Sequence, residues 1–149
     1  MEKKDTNRIG TVTELKCMAY FVELGYTVLV PQNPCRYDMV IDIGDKFLKI
    51  QVKTCNTNRI SGGITFNTAS AHYVKGEHTH TSYKEDNIDY FCTFYDNECY
   101  LVPVSECGNR EKSLRLEPPK HNQIKNISFA KDYIASRVLN QESKPLIQS

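Results

Sequence analysis

The chain has no tryptophan, no long apolar run and almost no net charge, and each shortage removes a class of protein. A helix needs about 20 consecutive apolar residues to cross a bilayer, and no stretch approaches that. Met1-Glu2-Lys3-Lys4-Asp5 has no apolar segment behind it that would make it a secretory signal. The expectation is a soluble, cytoplasmic protein with no membrane partner. A net charge of +1 gives no overall basic field. Any nucleic-acid-binding face must therefore come from where the charges sit, not from their sum. Six cysteines are present, but none forms a C-x-x-C pair, so neither a disulfide framework nor a zinc ribbon is indicated. Cys17, Cys92 and Cys99 fall in a predicted helix and predicted strands and read as buried thiols. The four histidines make no zinc-ligand pattern, although His78 and His80 could share one strand face. No glycine-rich loop opens a helix, which removes a phosphate-cradling fold.

Enough is present to build a core. Of the 149 residues 40% are hydrophobic, with six Phe and nine Tyr, which suits one domain over 1–149 without covalent staples. Residues 1–8 and 141–149 read as flexible ends. Ile9, Val12, Leu15, Ala19 and Val22 recur at helical spacing, so a helix is expected over 9–25 with that stripe facing the core and Gly25 as its stop. Glu14 sits beside the stripe, with Met18 and Phe21 above it on the same side. A short strand over 26–30 ends at Pro31-Gln32-Asn33-Pro34. After a hairpin at 37–53 come a polar loop to Gly63, a strand over 64–68 and an expected loop over 69–88. A second hairpin turns at Asp96-Asn97 and is apolar on both faces, hence central. Residues 110–125 read as a basic loop, and Ser128 is expected to cap a last helix to about Leu139. The fold class is α/β, a mixed β-sheet flanked by helices.

The first hairpin is where chemistry concentrates. Gly44 in the first turn position suits a II′ turn, which opposes Ile43 to Lys46. Counting back pairs Ile41 with Leu48, Met39 with Ile50 and Tyr37 with Val52 on one apolar face. The other face pairs Val40 with Lys49 and Asp38 with Gln51, and Lys53 points the same way one step diagonally. A one-residue slip would invert the apolar ladder, so the register is well specified. A hard divalent ion such as Mg²⁺ takes oxygen ligands, often one or two carboxylates plus water and phosphate oxygens. Asp38, the Gln51 side-chain carbonyl and the Val52 backbone carbonyl could supply them. Lys53 could orient or deprotonate an attacking water, or hold a phosphate. Asp42, two pairs nearer the turn, reads as structural or solvated.

Glu14 on the first helix, Asp38, and Gln51-x-Lys53 in that order resemble the PD-(D/E)XK nuclease superfamily. Over the first fifty or so residues the pattern resembles archaeal-type Holliday junction resolvases. It is closer to the small group I intron-associated endonucleases, including the cyanobacterial homing type, in which the last acidic position is commonly Gln. Arg36-Tyr37-Asp38 and Gln51-Val52-Lys53-Thr54 carry that signature. Asp89-Tyr90-Phe91, Tyr100 to Val104, Leu114-Arg115-Leu116 and the run from Asn122-Gln123 to Tyr133 are similar to the second half of those domains. The resemblance thus covers roughly 9 to 134. It implies a restriction-endonuclease-like core and a metal-dependent, site-specific DNA endonuclease of the homing type that uses Mg²⁺, with Mn²⁺ as a substitute. A structure-selective junction resolvase and a non-catalytic DNA-binding module on the same fold are the alternatives. By the same resemblance Asp38 is a metal ligand, Gln51 replaces the usual acidic ligand, Lys53 is the catalytic lysine and Glu14 acts on the metal directly or through water. Tyr37 replaces the Pro of the motif name, and Gln51 removes one negative charge from the site.

Double-stranded DNA is the implied partner. A subunit with one site needs a second copy to cut two strands, so a homodimer or homotetramer is expected. Arg59, Arg115, Lys120, Asn122, Gln123 and Lys125 are the candidate DNA-binding residues, because Arg and Lys hold phosphates while Asn and Gln can also bond base edges.

Overall fold

In the computed structural model, which describes residues 5–74, 77–82, 87–118 and 127–142, the first hairpin forms in the register that alternation predicts. Strand β2 (Met39–Asp42) runs antiparallel to β3 (Phe47–Val52), pairing Met39 with Ile50 and Ile41 with Leu48. Gly44 takes a positive φ of 103° and Ile43 N–H donates to the Lys46 carbonyl, as the turn requires. The Asp42 carboxylate accepts the Gly44 N–H at 2.8 Å, so it caps the turn. Tyr37 departs from expectation. Ladder pairing stops at Met39, and Tyr37 packs with the core on the opposite side of the sheet.

The hairpin belongs to a five-stranded mixed sheet. Its order is β1 (Thr27–Leu29), β2, β3, β8 (Tyr90–Tyr95), β9 (Glu98–Pro103). Only β3 and β8 are parallel. Asp96 and Asn97 both have positive φ, the conformation of a I′ turn, and they join β8 to β9 where the sequence places the second hairpin. Strand β8 is central, but β9 lies at the end of the sheet. That edge is covered: Tyr100 bridges Ile134, and helix α2 (Ala135–Glu142) packs over it. The bridge also corrects the last helix. Ile134 has an extended ψ of 125°, so the segment splits into a 3-10 turn at Ala130–Tyr133 and then α2. The residue before the 3-10 turn is Phe129, and Ser128 caps nothing there.

Helix α1 (Thr6–Glu23) begins earlier than its apolar spacing suggests, with the Asp5 carboxylate accepting the Arg8 N–H. Its buried residues are Thr13, Cys17 and Phe21. The expected stripe faces outward instead: Val12 is 43% exposed, Leu15 58% and Val22 58%. The buried ladder steps by four residues and sets Thr13, Cys17 and Phe21 against the sheet. Cys17 and Phe21 meet Met39, Ile41, Ile50, Val52 and Cys92 in the first core.

The other face of the sheet carries a second core, built from Phe91, Tyr100 and Val102 against Ile64, Phe66 and Leu114. A three-stranded sheet supplies the covering layer: β10 (Glu111–Arg115), β5 (Gly63–Asn67), β4 (Cys55–Asn56). Strand β10 occupies part of the expected basic loop, and β4 part of the expected polar loop. Leu114 is the reason, since it is fully buried opposite Ile64 and pins its neighbours into a strand. The expected loop at 69–88 also contains a hairpin, β6 (Ala69–Val74) with β7 (Glu77–Ser82), which forms a two-stranded sheet of its own. No described helix is long and apolar enough to cross a membrane.

Exchanging the two candidate core faces of α1 gives opposite outcomes. Phe21→Ala removes a side chain that is 0% exposed and should cost about 3–5 kcal/mol in urea unfolding. Leu15→Ala should change stability by no more than about 0.5 kcal/mol.

Candidate active site

The site forms where β2 and β3 stop pairing. Asp38 N–H donates to the Ile50 carbonyl at 2.8 Å, the last backbone bond on that side. The next donor along β3, Val52 N–H, is taken by the Asp38 carboxylate (Oδ2) at 2.7 Å. A carboxylate therefore replaces a strand as partner, and its position is set by the backbone of the Gln51-Val52-Lys53 segment. Beyond it Lys53 N–H donates to the Cys92 carbonyl at 2.8 Å, which continues the parallel β3–β8 pairing. The ends of β2 and β3 are thus held on both sides, and the segment has little freedom to shift.

Helix α1 brings the second carboxylate. Thr13 is buried, donates to the Ile9 carbonyl at 3.0 Å, and its hydroxyl lies 2.8 Å from that of Thr54. This link ties the helix to the residue after Lys53 and places Glu14 beside Asp38. The two carboxyl groups share a hydrogen bond. Burial pushes the Glu14 carboxyl up to about 7, with the hydrogen bond to Asp38, the charge of Asp38 and that of Cys17 adding to it. Glu14 and Asp38 open onto a cavity of about 340 Å³ whose far wall is Pro31 to Pro34.

Lys53 is half-buried, and its ammonium reaches the Ala69 carbonyl at 3.4 Å, at the base of β6. The Gln51 amide nitrogen lies 3.4 Å from the Val52 carbonyl. Amide nitrogen and oxygen exchange places by a half-turn of the side chain. An ion in front of the Val52 carbonyl could therefore be met by the Gln51 oxygen. This donor set suits a hard divalent cation: burial first, and the neighbouring Asp38 second, let Glu14 hold its proton near neutral pH. A cation would displace that proton and relieve the repulsion.

The candidate DNA-binding residues divide. Arg59 is paired with Glu111 through two nitrogens at 3.2 and 3.3 Å. The Arg115 guanidinium donates to the Glu117 carbonyl at 3.1 Å and borders a cavity of about 270 Å³ with Phe129 and Lys131. Lys120, Asn122, Gln123 and Lys125 lie outside the described residues. The Thr13–Thr54 link escaped the sequence reading, because two threonines 41 positions apart carry no pattern. So did Asp89, whose carboxylate accepts the Lys49 N–H at 2.8 Å and aligns β8 with β3.

The sequence profile of the PD-(D/E)XK endonuclease family matches residues 4–136. The chain belongs to the PD-(D/E)XK endonuclease family. It is a nuclease by descent, and DNA is the substrate class that its family implies. Protein 5.3 of Escherichia phage T7 is 27% identical over 117 residues, which span 72% of this chain and 94% of that protein. The solved structure of a bacterial homing endonuclease, I-Ssp6803I, is similar with a TM-score of 0.72 at 19% identity, covering 94% of this chain and 97% of that one. A likeness at that identity establishes the fold, a restriction-endonuclease-like α/β architecture.

The raised Glu14 pKa has a signed consequence for this nuclease. Folding raises it from 4.5 to about 7, so the folded state binds the proton more tightly. The stabilisation is complete below about pH 4.5 and is lost as pH rises through 7. In metal-free buffer, the difference in urea midpoint between Glu14→Gln and the natural chain should grow in favour of the variant from pH 5 to about 8. A flat difference would mean that Glu14 keeps an ordinary carboxyl.

Proposed function

We propose that this nuclease is a divalent-metal-dependent endonuclease of the intron-homing kind, hydrolysing phosphodiester bonds at a long, specific site in double-stranded DNA. The observation that carries the reading is the contact between Glu14 and Asp38 beside the backbone of Val52 and Lys53. Asp38, Glu14 and the Val52 carbonyl would hold Mg²⁺, or Mn²⁺ in its place, with the Gln51 amide oxygen completing the protein's share. When bound, the ion supplies charge neutralisation at the phosphodiester and lowers the pKa of water. The Val52 N–H holds the Asp38 carboxylate in place against β3, where it would serve as a ligand. Glu14, whose carboxyl is held up to about 7 chiefly by burial, would have to be deprotonated to serve as a ligand. Lys53 donates from its ammonium to a phosphate oxygen or to the attacking water, one residue beyond Val52.

Gln51 leaves the site one charge poorer than a carboxylate would, which lowers metal affinity without removing an oxygen donor. Two supports favour homing over junction resolution. The fold is shared with a protein described as a homing endonuclease. The β6–β7 hairpin is a two-stranded ribbon rooted beside Lys53 at Ala69, and a ribbon of that kind fits the major groove. Reading a long site and cutting both strands requires a homodimer or homotetramer.

Asp38→Asn keeps an acceptor for the Val52 N–H while removing the charge. It should lower Mg²⁺-dependent plasmid cleavage at least about 100-fold and leave metal-free DNA affinity unchanged. An equal fall in affinity would make Asp38 a DNA-binding or structural residue. Gln51→Glu should tighten Mn²⁺ binding about tenfold in isothermal titration. No gain there would place Gln51 outside the ligand set.

A further inference from the structure

Three cysteines that the nuclease chemistry does not use converge inside the first core. Cys17 from α1, Cys92 from β8 and Cys99 from β9 are each 0% exposed. Their sulfur atoms all lie within 4.8 Å of one another, and those of Cys92 and Cys17 are 3.5 Å apart. We propose that this cluster is a binding site for one soft, thiophilic d¹⁰ ion, copper(I), held by three thiolates.

The geometry is close to what such an ion needs. With metal–sulfur bonds of about 2.3 Å, three sulfurs around a planar centre stand about 4.0 Å apart. The observed spacing brackets that value, so small side-chain shifts complete the site. The donors are all sulfur, which selects copper(I) over the hard cations suited to Glu14 and Asp38. Zinc takes a fourth ligand, and among the described residues the cluster offers only three. The protonation pattern agrees. Hydrogen bonds from Cys92 and Cys99 pull the Cys17 thiol down to about 5, while burial holds Cys92 well up and the hydrogen bond to Cys17 raises Cys99. Coordination forms three copper–sulfur bonds and releases the three thiol protons to solvent.

The ion would also act as a staple. Cys17 is one helical turn beyond Glu14, and the Cys92 carbonyl receives the Lys53 N–H at 2.8 Å. Copper would tie α1 to β8 and β9 at the wall of the active site without entering it. This inference stands apart from the proposed DNA cleavage, because its readouts are binding and coordination.

The test adds copper(I), as its acetonitrile complex under anaerobic conditions, to the reduced full-length chain in competition with bathocuproine disulfonate. One ion per chain should bind. X-ray absorption at the copper edge should count three sulfurs, and the thermal midpoint should rise. A chain with Cys35, Cys55 and Cys107 changed to Ala should bind as the natural one does. Cys17→Ala and Cys99→Ala should each lose at least about 100-fold in affinity. The sulfur count needs no variant and settles the matter even if a substitution disturbs folding. Two or fewer sulfurs in the natural chain, or binding that disappears with Cys35, Cys55 and Cys107, would overturn the site.

Discussion

The bond between the Asp38 carboxylate and the Val52 N–H is the constraint on which the rest of the site depends. A backbone donor at a strand end must find a partner, and a buried one left unpaired costs about 1–3 kcal/mol. Here the partner is a carboxylate, so the demand of the sheet for hydrogen bonds fixes the position of a charge. The β3 backbone then extends past that point only because β8 receives it in parallel, through Lys53 N–H and the Cys92 carbonyl. A parallel strand, a carboxylate and a lysine are thereby brought to one end of one sheet.

Helix α1 adds an opposing demand. Its small buried face and the Thr13–Thr54 link hold Glu14 against Asp38, where two negative charges would repel. Burial, more than that repulsion, keeps a proton on Glu14 up to about pH 7. A carboxyl held protonated by its neighbour and by burial is chemically a reserved position for a cation. The same packing leaves the more apolar stripe of α1, at Val12, Leu15 and Val22, on the outside.

The two faces of the central sheet serve different ends. One face, under α1 and α2, supports the carboxylates and the three thiols. The other carries the small β10-β5-β4 sheet, and the β6–β7 ribbon follows β5 directly in the chain. Lys53 lies at the junction, with its ammonium near the start of the ribbon.

Alternation alone determined the register of the first hairpin. The period of a strand is two, and any slip would have exposed Met39, Ile41, Leu48, Ile50 and Val52. The turn residues Asp96-Asn97 likewise marked the second hairpin; the pairing of Asp38 with Gln51 that alternation predicts lies beyond the ladder, which ends at Met39. The resemblance of Glu14, Asp38 and Gln51-x-Lys53 to the nuclease pattern could also be read from order and spacing. Sequence could not choose the buried face of α1, because hydrophobicity ranked Leu15 and Val22 above Thr13 and Cys17. Only packing shows that Thr13, Cys17 and Phe21 face the sheet, where the Thr13 hydroxyl meets the Ile9 carbonyl and the Thr54 hydroxyl. Nor could it pair the small strands or gather Cys17, Cys92 and Cys99, since those contacts join residues far apart in the chain. Local pattern governs what a segment buries by period. Tertiary structure alone decides which distant groups share a hydrogen bond, a proton or a cavity.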